Sequence, residues 1–288
     1  SASDASCRCL VVAGGDGTVG AVLNEQPRRP IAILPAGTEN LTAAHFRHRA
    51  NPRILARTIV EGRARPVDLG QANGRRFMLM AGFGFDGDVV SRHHRGRVQR
   101  GSVRPTNRAA YVEPILRSSF SYTFPLITAT IDDPNGPEVL QGTTVFVFNL
   151  PRYALGLPFA PGARDDDGYL DLLVFRNPGP FHALYYLLRV VFGNHLRDPG
   201  VTYRRVRRLT LSSDERVPVQ LDGDPAGFLG PSANDSKAGP EGANSRDDQT
   251  AGSWDVSILP GEVEMLIPPR PRLIVSRGVA LAGKDRSR

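Results

Sequence analysis

Hydrophobic positions in the first 65 residues fall into short runs that alternate with glycine-rich turns and helical spacing. Leu10 to Ala13 reads as a short buried strand that ends in Gly14-Gly15-Asp16-Gly17-Thr18. Apolar residues at Val19, Val22 and Leu23 then follow a helical period through Asn24. Ile31 to Leu34 predicts a second buried strand, ending at Pro35-Ala36-Gly37-Thr38. Helices are predicted over about Asn40–Arg47 and Pro52–Glu61. This β-turn-α, β-turn-α order argues for a parallel sheet. The first apolar run starts at once, with no initiator methionine before it, so the chain is expected to enter in the middle of a fold.

Near Pro66 the period changes from helical to alternating. Strands are predicted at Arg76–Ala81, Phe124–Asp132, Thr143–Asn149, Tyr169–Arg176, Thr210–Ser213 and Val217–Leu221, with Gly, Pro, Asn and Asp between them. That is the pattern of an antiparallel sandwich or barrel. Phe181 to Leu196 breaks it: apolar residues at 184, 187, 188 and 191 fit a helix, either packed in a core or touching a membrane. Residues 228–254 are rich in Gly, Ser, Asn, Ala and Asp and predict a disordered insertion; Trp254–Leu259 and Val263–Ile267 resume as strands. The expected fold class is therefore α/β plus all-β. A parallel-sheet α/β unit (residues 1–65) precedes an antiparallel β-sandwich (66–270). A tail, 271–288, is expected to return to the first unit.

Composition narrows the function classes. Forty per cent hydrophobic residues over 288 excludes a chain disordered throughout. No apolar run reaches the roughly 18–20 residues of a membrane span, and the start lacks a signal peptide's basic and apolar regions. Two cysteines, Cys7 and Cys9, make neither a disulfide framework nor a zinc site. The net charge is +7, and all basic residues but Lys237 and Lys284 are arginines. Such a surface favours anionic partners. Arg92 to Arg108 holds six arginines and no acid, and Arg204, Arg205, Arg207 and Arg208 form a second group. Aromatic residues do not interleave with these arginines, so nucleic acid is not an expected partner.

The chemistry is concentrated in a few segments. Glycines in Gly14-Gly15-Asp16-Gly17-Thr18 let the backbone approach a phosphate, and the free N–H groups at a helix start point at an anion. As an alternative, the segment is a tight turn with Asp16 as a helix cap. Pro35-Ala36-Gly37-Thr38-Glu39-Asn40 occupies the same place after the next strand, and ligands of open parallel sheets bind at those strand ends. Neither segment is a P-loop. The run Asp165-Asp166-Asp167 reads as a hard-cation site or as a solvated acidic turn. Asp222-Gly223-Asp224 carries a strong hairpin signal.

Taken in order, these segments resemble the diacylglycerol kinase catalytic domain family, which includes bacterial lipid kinases and the sphingosine and ceramide kinases. Gly-Gly-Asp-Gly-Thr is followed by Leu-Pro-x-Gly-Thr-x-Asn, then by Ala81-Gly82-Phe83-Gly84-Phe85-Asp86, Asp166-Asp167-Gly168-Tyr169-Leu170-Asp171 and Gln220-Leu221-Asp222-Gly223-Asp224-Pro225. The resemblance implies an ATP-dependent lipid kinase with its site between two domains. It implies that Gly14, Gly15, Asp16, Gly17, Thr18, Gly37, Thr38 and Asn40 hold ATP. Asp167, with the carbonyls of Arg164 and Tyr169, would bind a structural Mg²⁺. Asp224 stands where the family has a glutamate general base, and Asp16 is the other acid–base candidate. The implied partners are a lipid substrate and an anionic membrane surface met peripherally from the cytoplasmic side, with a homodimer as an option. The family's N-terminal strand and helix, with an Asn-Pro-x-Ser/Gly segment, are missing from this sequence. Gly20 and Leu41 stand where relatives carry Asn and Asp, and Asp224 is one methylene short of Glu. NAD kinases share Gly-Gly-Asp-Gly-Thr, but no matching Asn-Glu pair occurs mid-chain.

Overall fold

A computed structural model describes residues 7–99, 118, 121–133, 136–231 and 250–269. The strand β1 (Leu10–Gly14) leads into helix α1 (Asp16–Asn24), and β2 (Ile31–Pro35) leads into the short α2 (Leu41–His45) and then α3 (Pro52–Glu61). β1 and β2 pair in parallel, Leu10 opposite Ile31 and Gly14 opposite Pro35, so both glycine turns leave the same end of the sheet. Asn51 caps α3 by accepting the N–H groups of Arg53 and Ile54, with Pro52 in the first turn.

The remainder is a sandwich. After β3 (Arg63–Ala72) come β4 (Arg75–Phe77), β5 (Met80–Gly84), α4 (Phe85–Gln99), β6 (Ile127–Ile131), β7 (Glu138–Gly142), β8 (Thr144–Phe148) and β9 (Leu170–Phe175). Then follow α5 (Pro180–Val191), a 3₁₀ turn (His195–Arg197), β10 (Val201–Val206), β11 (Arg208–Ser212), β12 (Val217–Leu221), β13 (Asp224–Leu229), β14 (Thr250–Ala251) and β15 (Ser253–Ile267). One sheet runs β10-β9-β8-β5-β12-β13-β14. The other runs β1-β2-β15-β11-β6-β7, with β3 paired to β15 and β4. Between the sheets lies a core of Phe83, Ile127, Val145, Val147, Leu172, Val219 and Trp254, all nearly inaccessible.

The first of these sheets is buried on both faces. In β8, Val145 and Val147 enter the sandwich core, while Phe146 and Phe148 face the opposite way into a second core. That second core also contains Val19, Leu23, Ile31, Ile33 and Phe46 of the α/β unit. Double burial explains why β8 reads as an unbroken apolar run rather than an alternating one. It also joins the two units through a shared apolar interior.

Two strands ignore the boundary expected at Pro66. β3 spans it, and β15 pairs with β3 from Val256–Ala72 to Ile267–Arg63. The lower half of β15 also pairs with β11, whereas Met265 in its upper half lies parallel to Ile31 of β2. The two strands predicted at 254–259 and 263–267 are thus one strand with an irregularity between Leu259 and Val263.

Other readings shift in the same way. The single strand predicted at Arg76–Ala81 is split, because the chain changes sheet between Phe77 and Met80. Within 228–254, β13 extends to Leu229 and β15 begins at Ser253, because Leu229 and Trp254 are core residues hidden in a polar average. Residues 232–249 of that insertion, the tail 271–288, and Arg100–Arg108 of the basic stretch lie outside the described residues.

Candidate active site

The two glycine turns pack against each other, backbone on backbone. A Cβ placed on Gly15 would lie 3.0 Å from the Gly37 Cα, and one placed on Gly37 would come closer still to Gly15. The Ala36 N–H donates to the Gly14 carbonyl at 3.0 Å. Side chains larger than hydrogen would force the turns apart. Asn40, in the left-handed region at φ 52°, closes the second turn. Its Oδ1 accepts the Gly37 N–H and its Nδ2 donates to the Gly37 carbonyl, both at 2.8 Å.

Asp16 joins the two turns. Its Oδ2 accepts the Leu41 N–H at 3.0 Å and its Oδ1 accepts the Thr42 N–H at 2.8 Å. Two of the unsatisfied donors at the start of α2 are thereby met. The geometry makes Asp16 a positioning residue, holding α2 behind the second turn, with both oxygens already engaged by amides. Thr18 and Thr38 are exposed on the turns. The Thr18 side chain folds back over Gly14, where a Cβ would collide with it.

Asp224 arrives from the sandwich. It opens β13 directly after a two-residue hairpin turn in which Asp222 (φ 54°) and Gly223 (φ 89°) are both left-handed. That is the type I′ geometry an Asp-Gly pair favours. The turn aims the Asp224 carboxylate at the first glycine turn: a Cβ on Gly17 would stand 3.0 Å from its Oδ2. Residues more than 200 positions apart in sequence thus meet at the end of the parallel strands.

Asp222 is the residue that sequence reasoning treated only as a turn former. Its carboxylate accepts three consecutive N–H groups, from Met78 and Leu79 at 2.7 Å and from Met80 at 3.0 Å. These amides sit where the chain crosses from one sheet to the other, so the carboxylate replaces the missing ladder. Burial pushes the Asp222 carboxyl up to about 7, against those three donors, with the nearby Asp16 charge adding to the rise. Asp86 is a second buried carboxyl. Its Oδ2 accepts from Gln220 Nε2 at 2.6 Å and from the Tyr153 hydroxyl at 3.3 Å, and burial raises it to about 6. Gln220 Oε1 in turn accepts the Gly223 N–H at 2.8 Å, so this chain of bonds supports the turn that carries Asp224. The Asp-Gly dipeptide signals the turn. The sheet crossing that gives Asp222 its partners has no local signal.

The aspartate run is built differently. Asp165 receives both arms of Arg65, at 3.1 and 2.6 Å, and its Oδ2 lies 3.1 Å from His45 Nε2. Burial works against its ionised form, but the His45 and Arg65 contacts outweigh this and hold the carboxyl well below the usual range. Asp166 pairs with Arg164 at 3.2 Å. Asp167 accepts the Tyr169 N–H at 3.1 Å on one oxygen and the Arg205 guanidinium at 2.5 Å on the other.

This geometry departs from the expectation that Asp167, with the carbonyls of Arg164 and Tyr169, holds Mg²⁺. A guanidinium already neutralises the one carboxylate of the set. Among the described residues no group of three Asp, Glu, His or Cys comes together as a metal site. Mg²⁺ sheds its water reluctantly and needs anionic oxygen to do so, so these residues do not fit the ion. A concavity of about 440 Å³ beside the run, lined by His45, Arg47, Arg65, Arg164 and Asp166 among others, lies at the opposite end of α2 from the glycine turns.

Two packed glycine turns at parallel strand ends, with a carboxylate delivered from a sandwich domain, define a two-domain phosphotransferase architecture. The family profile described as the YegS C-terminal NAD kinase beta sandwich-like domain matches residues 80–241, and that of the diacylglycerol kinase catalytic domain matches residues 1–72. The chain belongs to the diacylglycerol kinase family, a family of kinase-type transferases. It is 28% identical over 239 residues to a diacylglycerol kinase of Staphylococcus carnosus, covering 76% of this chain and 72% of the relative. A diacylglycerol kinase of Bacillus subtilis is 27% identical over 231 residues, with the same coverage. A crystal structure of a diacylglycerol kinase from Bacillus anthracis superposes with a TM-score of 0.61 at 22% identity, covering 91% of this chain and 78% of that one. At that identity the superposition speaks for the fold alone.

Proposed function

We propose that the chain transfers the γ-phosphoryl group of ATP to a lipid hydroxyl. The observation that carries this reading is the Asp224 carboxylate standing against Gly17 of the first glycine turn. In it, Gly14, Gly15, Gly17 and Thr18 of the first turn, with Thr38 of the second, hold the phosphates through backbone N–H groups and hydroxyls, while Gly37, whose N–H is taken by Asn40, lets the second turn pack against the first. The helix start of α1 favours negative charge there. Asp16 and Asn40 keep the two turns in register.

Asp224 is the general base. The acceptor hydroxyl gives its proton to the Asp224 carboxylate as its oxygen bonds to the γ-phosphorus, and the bond to the β-phosphate oxygen breaks, releasing ADP. Positioning and charge stabilisation supply most of the acceleration in such transfers, and a base supplies roughly 10²-fold or more. The shared apolar interior keeps the two halves in one register, so the base stays aligned with the turn.

The test is transfer of labelled phosphate from ATP to a panel of lipid alcohols: diacylglycerol, a long-chain base, ceramide and a polyprenol. Asp224→Asn is expected to lower turnover by about 10²-fold with ATP affinity unchanged. ATP binding without transfer to any lipid would leave a nucleotide-binding protein, and an unimpaired Asp224→Asn enzyme would remove Asp224 from the chemistry.

A further inference from the structure

Helix α5 presents the wrong face to water. Its buried side holds Tyr186 and Val190, packed on the sandwich beside Phe175. The outward side carries Phe181, Leu184, Tyr185, Leu188 and Val191, and Phe192 continues it, with exposures from 44% to 81%. Spaced by three and four, these residues form one stripe along the helix. A surface helix normally turns polar residues outward. The sequence left this helix either packed in a core or touching a membrane, and in the structure 184, 188 and 191 point away from the core.

Charge around the stripe has one sign. From Arg176 to Arg197 there is no acidic residue, and Arg176, Arg189 and Arg197 border the helix. Asp198, the next acid, is buried under the Tyr185 hydroxyl and beside Arg189. Arg189 is itself paired with Asp198 at 3.5 Å, which leaves Arg176 and Arg197 as the exposed cations at the two ends of the stripe. In the basic group at 204–208, Arg204 grips Glu138, Arg205 grips Asp167 and Arg207 lies over the Tyr169 ring. Among the described residues, an apolar stripe with a cationic rim therefore occurs on α5. Apolar side chains entering an acyl layer beneath arginines that meet anionic headgroups is the chemistry of an interfacial helix.

The stripe is also tied to the candidate site. His195, in the turn after α5, lies 2.7 Å through Nε2 from the Phe159 carbonyl. Phe159 belongs to the segment whose Leu155 N–H donates to Glu39 of the second glycine turn at 3.0 Å. We infer that α5 lays its outer face into the surface of an anionic bilayer and so delivers the cleft to lipid substrate. This rests on the lipid-kinase reading above. It moves docking from the basic stretches to an apolar helix.

The experiment is co-sedimentation with vesicles of phosphatidylglycerol and phosphatidylcholine, comparing the parent with Phe181→Ser/Leu188→Ser. Each replaced side chain is exposed, so thermal unfolding should be unchanged. Vesicle binding should weaken by at least about a hundredfold, since each of the two buried apolar side chains contributes more than one decade of affinity. Parent binding should also be weaker on pure phosphatidylcholine. Equal vesicle binding by parent and variant overturns the proposal. So does a parent that is dimeric by light scattering and becomes monomeric in the variant, which would make the stripe an interface between copies. Equal binding to neutral and anionic vesicles overturns the anionic part. Transfer to lipid in detergent micelles separates the two readings: the helix variant should retain it, and Asp224→Asn should lose it while still sedimenting with vesicles.

Discussion

The turns at 165–167 and 222–224 have nearly the same composition, and each enters a strand of the same sheet. Their electrostatics are opposite. In the first, every carboxylate meets a cation: Arg65 on Asp165, Arg164 on Asp166, Arg205 on Asp167. In the second, Asp222 meets only backbone amides and has its carboxyl raised to about 7. Asp224 is carried to the glycine turn. A charge answered by a cation is a fastening; one buried on backbone dipoles alone, as at Asp222, is costly to keep. The longer acidic run looks the more chemical of the two in sequence, and the structure reverses that order.

The contrast can be broken first at Asp222. Asp222→Ala strands three buried N–H groups and puts a Cβ-bearing residue without a local hydrogen bond at φ 54°. About 3–5 kcal/mol of stability should be lost, read from the urea midpoint. A loss as small as that of a surface pair would mean that the amides find water. Next is pH. Asp86 has its folded-state pKa raised from 3.8 to about 6, so the fold favours its protonated form. Its contribution is therefore present below about pH 4 and is lost as pH rises toward 6. Relative to the parent, Asp86→Asn should gain stability across that window, by about 3 kcal/mol at most, then level off. A Tm difference that is flat between pH 4 and 7 would remove Asp86 as a titrating group.

Gly37→Ala tests the frame on which Asp224 depends. Its methyl would meet the Gly15 backbone, so a cost of about 1–3 kcal/mol is expected, with weaker ATP binding by calorimetry. The smallest effect belongs to the compensated turn. Arg164→Ala removes the exposed pair to Asp166, whose side chain is 40% exposed, and should change stability by less than about 1 kcal/mol. A larger loss would show that the run at 165–167 works as one network.

Much of this was legible in the chain. The strand-turn-helix order placed both glycine turns, because local apolar spacing and turn residues act over a few positions. Asp224 was legible through its resemblance to a family segment, and the hairpin that aims it through Asp222-Gly223. What lay beyond the sequence depended on contacts across the chain. Asp222 needed the sheet crossing at Met78–Met80, and Asp16 needed the position of α2. The arginine on Asp167 comes from a strand paired beside it. The helical spacing of α5 left its apolar face open to a core or a membrane, because spacing fixes a face but not what that face meets.

The pairing of β15 has a consequence for how this chain is made. The sheet of the α/β unit takes in Met265, more than two hundred residues after Ile31. When β1 and β2 have left the ribosome, the strand that pairs with β2 on its other side has not yet been made. The α/β unit completes its sheet only when the last described strand emerges, so synthesis and folding of this unit are out of step. Such long closure slows folding and prolongs exposure of the Ile31–Ile33 edge. Limited proteolysis of ribosome-bound chains should therefore cut near Ile31–Ile33 until β15 has emerged, and protection there should follow its pairing with β2.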